Sequence, residues 1–182
     1  MSGPLVVVGD LLLDRDVDGP AERLCPDAPV PVVVEPTTRS RPGGAGLAAA
    51  LAAQRGGAEV VLVAPVSADD RGAEVRALVA RSGVELVALP LRGTMAEKVR
   101  IRAAGLPVAR LDHGDAPAQL GPIPDAARRA IAGAGAVLVA DYGRGVTAQP
   151  ELRAALEDAA RRRPVVWDPH PRGDEPVPGV RL

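Results

Sequence analysis

Phenylalanine and asparagine are absent from this 182-residue sequence, and tyrosine, tryptophan, lysine and cysteine each occur once. The lone thiol, Cys25, excludes an internal disulfide and fits a reducing compartment, with a structural role read ahead of a nucleophilic one. Aromatic content of 1% leaves the core to aliphatic side chains. The bias toward Ala, Val, Arg and Gly reads as a coding preference, so missing aromatics and amides carry little functional meaning. Charge of one sign is missing too. The 22 basic and 23 acidic residues leave a net charge of -1, which excludes the basic field of a nucleic-acid binder. No apolar run approaches the roughly 20 residues of a membrane span. The first apolar run has no basic stretch before it and breaks at Asp10, so no signal peptide is expected. A soluble cytoplasmic protein without nucleic-acid or membrane partners is predicted. The only histidines, His113 and His170, lack metal-ligand spacing to Cys25 or to an acid cluster, and no metal site is predicted. No G-x-S-x-G, Walker A or C-x-x-C motif occurs.

What is present is a rhythm. Hydrophobic content of 47% with 25% charged residues suits one globular domain with a good-sized core and room for a small appendage. Short apolar runs predict strands at 6–8, 60–63, 85–89, 136–140 and 165–167. Helical periodicity predicts helices at 44–54 (closed by Gly56-Gly57), 69–81 (with Asp69 or Asp70 as N-cap), 124–132 and 149–163. Apolar strands alternating with amphipathic helices imply an α/β fold, a parallel sheet covered on both faces. Such sheets hold ligands at the carboxyl ends of their strands. Acids stand there: Asp10 and Asp14 after the first strand, Asp141 after VLVA and Asp168 after VVW. Two stretches break the rhythm. Pro29 to Glu35 is extended and proline-flanked, and EKVRIRA (97–103) with PVARLD (107–112) is a hairpin pattern. Together they are expected to form a small separate sheet, a lid over the α/β body. The last fourteen residues are rich in proline and glycine and close no element.

Several motifs compete. Gly44 to Ala49 fits G-x-G-x-x-A, a form of the dinucleotide fingerprint, but Pro36 to Pro42 separates it from the nearest strand. Close backbone approach before a helix N-terminus is the stronger reading than an NAD site. Asp14, with Asp10, can accept hydroxyl hydrogen bonds; Asp16 and Asp18 read as a solvated turn. Asp141-Tyr142-Gly143-Arg144-Gly145 offers an arginine and two glycines for a phosphate or is a plain tight turn, and Asp168-Pro169-His170 is similar. Lys98, Arg100, Arg102 and Arg110 recur on alternate hairpin positions, a solvated face or a set of groups reaching across a covered site.

In order, VVVGDLLLD, CPDAPVPVV, RPGGAG, VARLD, ADYGRG and WDP resemble the ribokinase-like (PfkB-type) carbohydrate kinases, and within them the heptose-7-phosphate kinase domain of bifunctional ADP-heptose synthesis enzymes. The resemblance runs through essentially the whole chain. It implies a Rossmann-like α/β body with a β-sheet lid that often mediates dimerisation. By similarity Asp14 holds sugar hydroxyls and Gly43-Gly44 bring backbone amides to the sugar. Lys98 sits at the lid lysine, and Arg110 and Asp112 fall in the R-x-D lid segment. The lid segments are expected at about 12–36 and 94–113 within a domain spanning 1–182. Asp141, Arg144 and Asp168 fall near the phosphates, with Arg144 in place of a lysine of D-Y-x-K-G and His170 at the lysine of D-P-K-G. The departures are Leu47 at the Asn of P-G-G-x-x-N, and Met95 and Ala96 where threonines are expected.

The family's catalytic base, the Asp of G-A-G-D, has no counterpart, so no catalytic residue is assigned and the chain is expected to be an N-terminal, truncated portion. ATP and Mg²⁺ belong to the full family domain. The expected function is phosphorylation of a sugar or sugar phosphate, with a homodimer as the possible assembly. The alternative is a non-catalytic sugar-phosphate-binding or dimerisation module.

Overall fold

The computed structural model describes residues 3–34, 36–114 and 117–182. Along these the elements are β1 (Leu5–Gly9), β2 (Leu11–Gly19), β3 (Arg23–Cys25), β4 (Ala28–Val32), β5 (Thr37–Gly44), α1 (Ala45–Gln54), β6 (Val60–Val66) and α2 (Asp70–Arg81). They continue with β7 (Glu85–Arg92), β8 (Glu97–Ala103), β9 (Leu106–His113), β10 (Gln119–Leu120), α3 (Asp125–Gly133), β11 (Ala136–Ala140), α4 (Pro150–Ala160) and β12 (Val165–Asp168). None of the helices among the described residues is long and apolar enough to cross a membrane.

The body is a sheet in the order β10-β7-β6-β1-β11-β12. Its strands are parallel except β10, which pairs antiparallel with β7 at one edge. Side chains alternate across a strand, and the central strand shows the result. Val6 and Val8 join Ile131 of α3, Leu152 and Leu156 of α4 and Trp167 in one apolar layer. Val7 joins Ala45 and Ala49 of α1 with Val75 and Val79 of α2 in the other. Both faces are therefore covered, as the unbroken apolar strands require. The chain builds outward from β1 to β6 and β7, then returns to build β11 and β12 on the opposite side. Strand order reverses between β1 and β11, and the crevice beyond their carboxyl ends is where such folds place ligands.

Out of that crevice rises a second sheet, ordered β5-β2-β8-β9, and it corrects three expectations. Asp16 and Asp18 do not sit in a solvated turn; they lie in β2, paired with both β5 and β8. Residues 36–42 are not a spacer before the glycine pair, because β5 runs through Thr37–Gly44 and takes its place beside β2 through tertiary pairing. The Pro29 to Glu35 segment does not join the sheet of the 97–112 hairpin. Only Ala28–Val32 is a strand, and it pairs with β3 alone. Pro29 and Pro31 have no N–H to donate, which confines this strand to an edge; Glu35 lies outside the described residues. The terminal stretch also adds a contact: Arg181 forms a parallel bridge to Val166 beside β12.

Charges fix the second sheet to the body. Arg15 of β2 donates to Glu97 on β8 at 2.7 Å and to Glu74 of α2 at 2.8 Å, while Arg71 of α2 reaches Glu97 from the other side at 2.8 Å. Ser40 of β5 accepts a further bond from Arg15 at 3.0 Å. Asp69 caps α2 as expected by accepting from the Gly72 N–H at 2.9 Å, and it accepts from the Met95 N–H at 3.1 Å, tying the approach to β8 to the helix. Burial pushes the Asp69 carboxyl up, but bonds from the Ser67 hydroxyl and these two amides outweigh it and hold it below the usual range.

Candidate sugar site

The acid that ends the first strand has a structural task. Asp10 is 1% exposed and accepts N–H bonds from Tyr142 at 2.9 Å, Arg144 at 3.1 Å and Val146 at 3.4 Å. It shapes the loop after β11. Burial pushes its carboxyl above the usual range, the amide bonds oppose that, and Asp141 adds to the rise. Asp141 is likewise turned inward. Its carboxylate takes the Gly143 N–H at 2.8 Å, the Thr147 hydroxyl at 3.0 Å and the Asp174 N–H at 3.2 Å. A side chain at Gly173 would meet that carboxylate at 2.3 Å, so glycine is required where this loop crosses it.

Asp14 belongs to the second sheet. It lies in β2, 6% exposed, straight across from Arg41 of β5 and Lys98 of β8. Arg100 donates to its Oδ1 at 2.6 Å. Gly43 passes so close that a Cβ there would lie 2.6 Å from Asp14 Oδ2. Gly44, the N-cap of α1, has φ 60°, and a Cβ on it would meet the Asp10 carbonyl oxygen at 2.3 Å. Gly43 thus lets bare backbone approach the Asp14 carboxylate, and Gly44 the Asp10 main chain. They end β5, an antiparallel strand of the second sheet, and not β1, so the first strand of a parallel βαβ unit that a dinucleotide fingerprint needs is not there.

Tyr142 closes the far side. It is half-buried beside Gly44, and burial, then the carboxylates of Asp168 and Asp14, raise its phenol above the ordinary value. This neighbourhood joins Asp14, Gly43, Gly44, Tyr142 and Asp168 across the switch point. Tyr142 was not singled out from sequence, although the chain's only tyrosine immediately after a strand-ending acid was a usable signal.

The remaining predicted residues are distributed unevenly. Lys98 shares the Asp14 face. Asp112 is opposite Lys98 in register, but it and Arg110 are exposed on the edge strand and pair with each other at 3.0 Å. Arg144 directs its guanidinium to the Gly114 carbonyl at 2.6 Å and lines a cavity of about 220 Å³ with Asp10, Leu11, Thr94 and Ala96. None of Asp14, Gly43, Gly44 and Lys98 lines that cavity; it is a neighbour of their crevice. Leu47, at the family's asparagine position, is 37% exposed on the first turn of α1. Met95 is fully buried in the core under α1 and α2.

Residues 4–93 match the pfkB family carbohydrate kinase model. The bifunctional protein HldE of Streptomyces coelicolor is 56% identical over 179 residues, covering 98% of this chain and 37% of that protein. The HldE of Azorhizobium caulinodans is 36% identical, again over 98% of this chain and 39% of its own length. The chain therefore spans well under half the length of these curated relatives. Among solved structures, a carbohydrate kinase from Agrobacterium tumefaciens superposes with a TM-score of 0.66 at 24% identity, covering 91% of this chain and 53% of that one. Arabidopsis thaliana ribokinase, complexed with ribose and ATP, gives 0.59 at 18% identity, covering 93% and 54%. Sequence motifs, the switch-point crevice with its second sheet, and these likenesses place the chain in the pfkB family of carbohydrate kinases, with the ribokinase-like fold.

Proposed function

We propose that this chain forms the sugar-binding side of an ATP-dependent kinase acting on a sugar or sugar phosphate, with a heptose phosphate as the substrate class. The observation that carries the reading is Asp14: a buried carboxylate at the switch-point crevice, with glycine backbone against it and cations beside it. A carboxylate accepts two hydroxyl hydrogen bonds, and Gly43 packs bare backbone directly against it. In the isolated chain, Asp14→Asn is expected to weaken binding of D-sedoheptulose 7-phosphate at least tenfold by titration calorimetry, because charge-assisted bonds are about twice as strong as neutral ones. Unchanged affinity in that variant would remove Asp14 from the site.

ATP with Mg²⁺ is the phosphoryl donor this reading implies for the full kinase domain. The groups beside β11 and β12 do not by themselves fit that pair. The Asp141 carboxylate is consumed by Gly143, Thr147 and Asp174, and no cluster of three metal-binding side chains exists among the described residues. The inward Asp141 favours a second reading, a module that binds a sugar phosphate without transferring phosphate to it. Turnover of ATP with sedoheptulose 7-phosphate above background, abolished in Asp14→Ala, would exclude that second reading.

A homodimer through the second sheet is part of the proposal. Leu106, Val108 and Leu111 of β9 are 70%, 44% and 47% exposed, an apolar edge suited to burial against a second copy. Light scattering is expected to give twice the chain mass, and Leu111→Glu is expected to return it to one. A parent chain that scatters as a monomer at tens of micromolar would rule the dimer out.

A further inference from the structure

The face of the second sheet that carries Asp14 is a lattice of charge. Asp14, Asp16 and Asp18 alternate along the central strand β2. Arg41 and Arg39 flank them on β5, and Lys98, Arg100 and Arg102 flank them on β8. The ion pairs do not run straight across. Arg41, in register with Asp14, pairs with Asp16. Arg100, in register with Asp16, pairs with Asp14 at 2.6 Å. Arg102 is committed to the Gly105 carbonyl at 2.8 Å, and Arg110 to Asp112 at 3.0 Å. Lys98 is half-buried directly across from Asp14, and its ammonium has no ion-pair partner among the described residues.

The carboxylate assigned to sugar hydroxyls is thus already engaged, by an arginine that has a second acid straight across the strand. Two cations, Lys98 and Arg100, surround one carboxylate; on one face of a strand they stand about 6.6 Å apart along β8. A sugar bearing only hydroxyls must compete with a charge-assisted bond for Asp14 and gives the guanidinium only neutral acceptors in return. A phosphate monoester supplies acceptors to both cations and matches the planar fork of arginine. Arg100 can then leave Asp14, with its other side toward Asp16, and the freed oxygen can take hydroxyls.

We infer that Arg100 is the residue that makes this site select phosphorylated sugars over free sugars, by exchanging Asp14 for the substrate's existing phosphate and releasing Asp14 to the hydroxyls. This rests on the sugar-site reading above. Lys98 shares the phosphate and sets the local charge, but it does not touch Asp14's bond.

The test is calorimetry of the full chain with D-sedoheptulose 7-phosphate and with D-sedoheptulose, on the parent, Arg100→Gln and Arg100→Lys. The parent is expected to bind the phosphate at least tenfold more tightly. Arg100→Gln should lose most of that preference through weaker phosphate binding, with free-sugar affinity equal or higher because Asp14 is no longer occupied. Arg100→Lys should keep part of the preference, which separates a lost cation from a damaged fold. Retention of the full preference in Arg100→Gln, or an equal loss for both sugars while Arg100→Lys behaves like the parent, overturns the inference alone. Binding of neither sugar by the parent overturns the sugar-site reading and the inference with it.

Discussion

Asp10→Ala is expected to lower the stability of the chain by about 3 kcal/mol, read as a shift of the urea midpoint at constant slope. Three backbone N–H groups, of Tyr142, Arg144 and Val146, converge on its carboxylate. Each stranded buried donor costs on the order of 1–3 kcal/mol, and part of that is offset because an imperfectly compensated buried charge is removed as well. Water entering the loosened loop offsets more, so the three costs do not add. Asp10→Asn is expected to fall between parent and alanine. Its amide oxygen can still accept, but its NH₂ group faces donors.

The pH dependence of this effect has an unusual sign. Burial raises the folded carboxyl above its unfolded value, so the folded state holds the proton more tightly. The stabilising contribution is full below the unfolded pKa of about 3.9 and declines as pH rises through the raised folded value. Glu74 acts oppositely: burial pushes it up, but bonds from Arg15 and Ser40 outweigh burial and hold it low. Its contribution is present above the unfolded value and is lost as pH falls through the folded one. Removing Asp10 should therefore steepen the rise of stability with pH just above pH 4, measured as urea midpoints across pH 4–6. An unchanged slope would place the titrating acid elsewhere.

Trp167→Ala is expected to cost about 3–5 kcal/mol, the range for deleting a large buried aromatic. Trp167 is 0% exposed, lies on β12 opposite Val139 and fills the layer under α4 with Leu156 and Val177. Against a typical total of 5–15 kcal/mol, that loss leaves a large unfolded fraction at 37 °C. Trp167→Phe should lose far less, about 1 kcal/mol, because the indole Nε1 has no hydrogen-bond partner among the described residues to forfeit. Far-UV circular dichroism in urea reads all three chains without depending on the single tryptophan. Equal midpoints for parent and alanine variant would mean that the layer closes over the gap.

The body was legible because its strands are apolar runs and its helices carry apolar stripes; burial dictates both signals locally. The second sheet was only half legible. EKVRIRA announces itself by alternation, but β5, TTRSRPGG, has no apolar residue before its proline and becomes a strand only through pairing with β2. In LLLDRDVDG the acids fall on every second position, a strand period that the density of charge disguised as a turn. Asp14 was identified as a sugar contact through family resemblance; the structure sets it in β2 between Gly43 and Arg100. The inward turn of Asp141 could not be read from sequence, since it depends on Gly173 and Asp174, some thirty residues away in another loop. Arg100 was visible as a charge, but the diagonal pairing that gives it a partner exists only across two strands in register.

Asp14 and Arg15 are neighbours on β2, and the pleat sends them to opposite sides of the sheet. One is held by Arg100 against Gly43; the other is gripped by Glu97 and Glu74. The ladder hydrogen bonds that make the second sheet a sheet are peptide dipoles, little affected by dissolved ions. The grip that sets its tilt against α2 is made of full charges, with Arg15 and Glu74 side chains 24% and 35% exposed. At 1 M salt, where screening acts over about 3 Å, the blade keeps its edge while its handle slackens. Salt is therefore expected to loosen the partly exposed Arg15–Glu74 pair before the buried Arg15–Glu97 pair or the strands themselves.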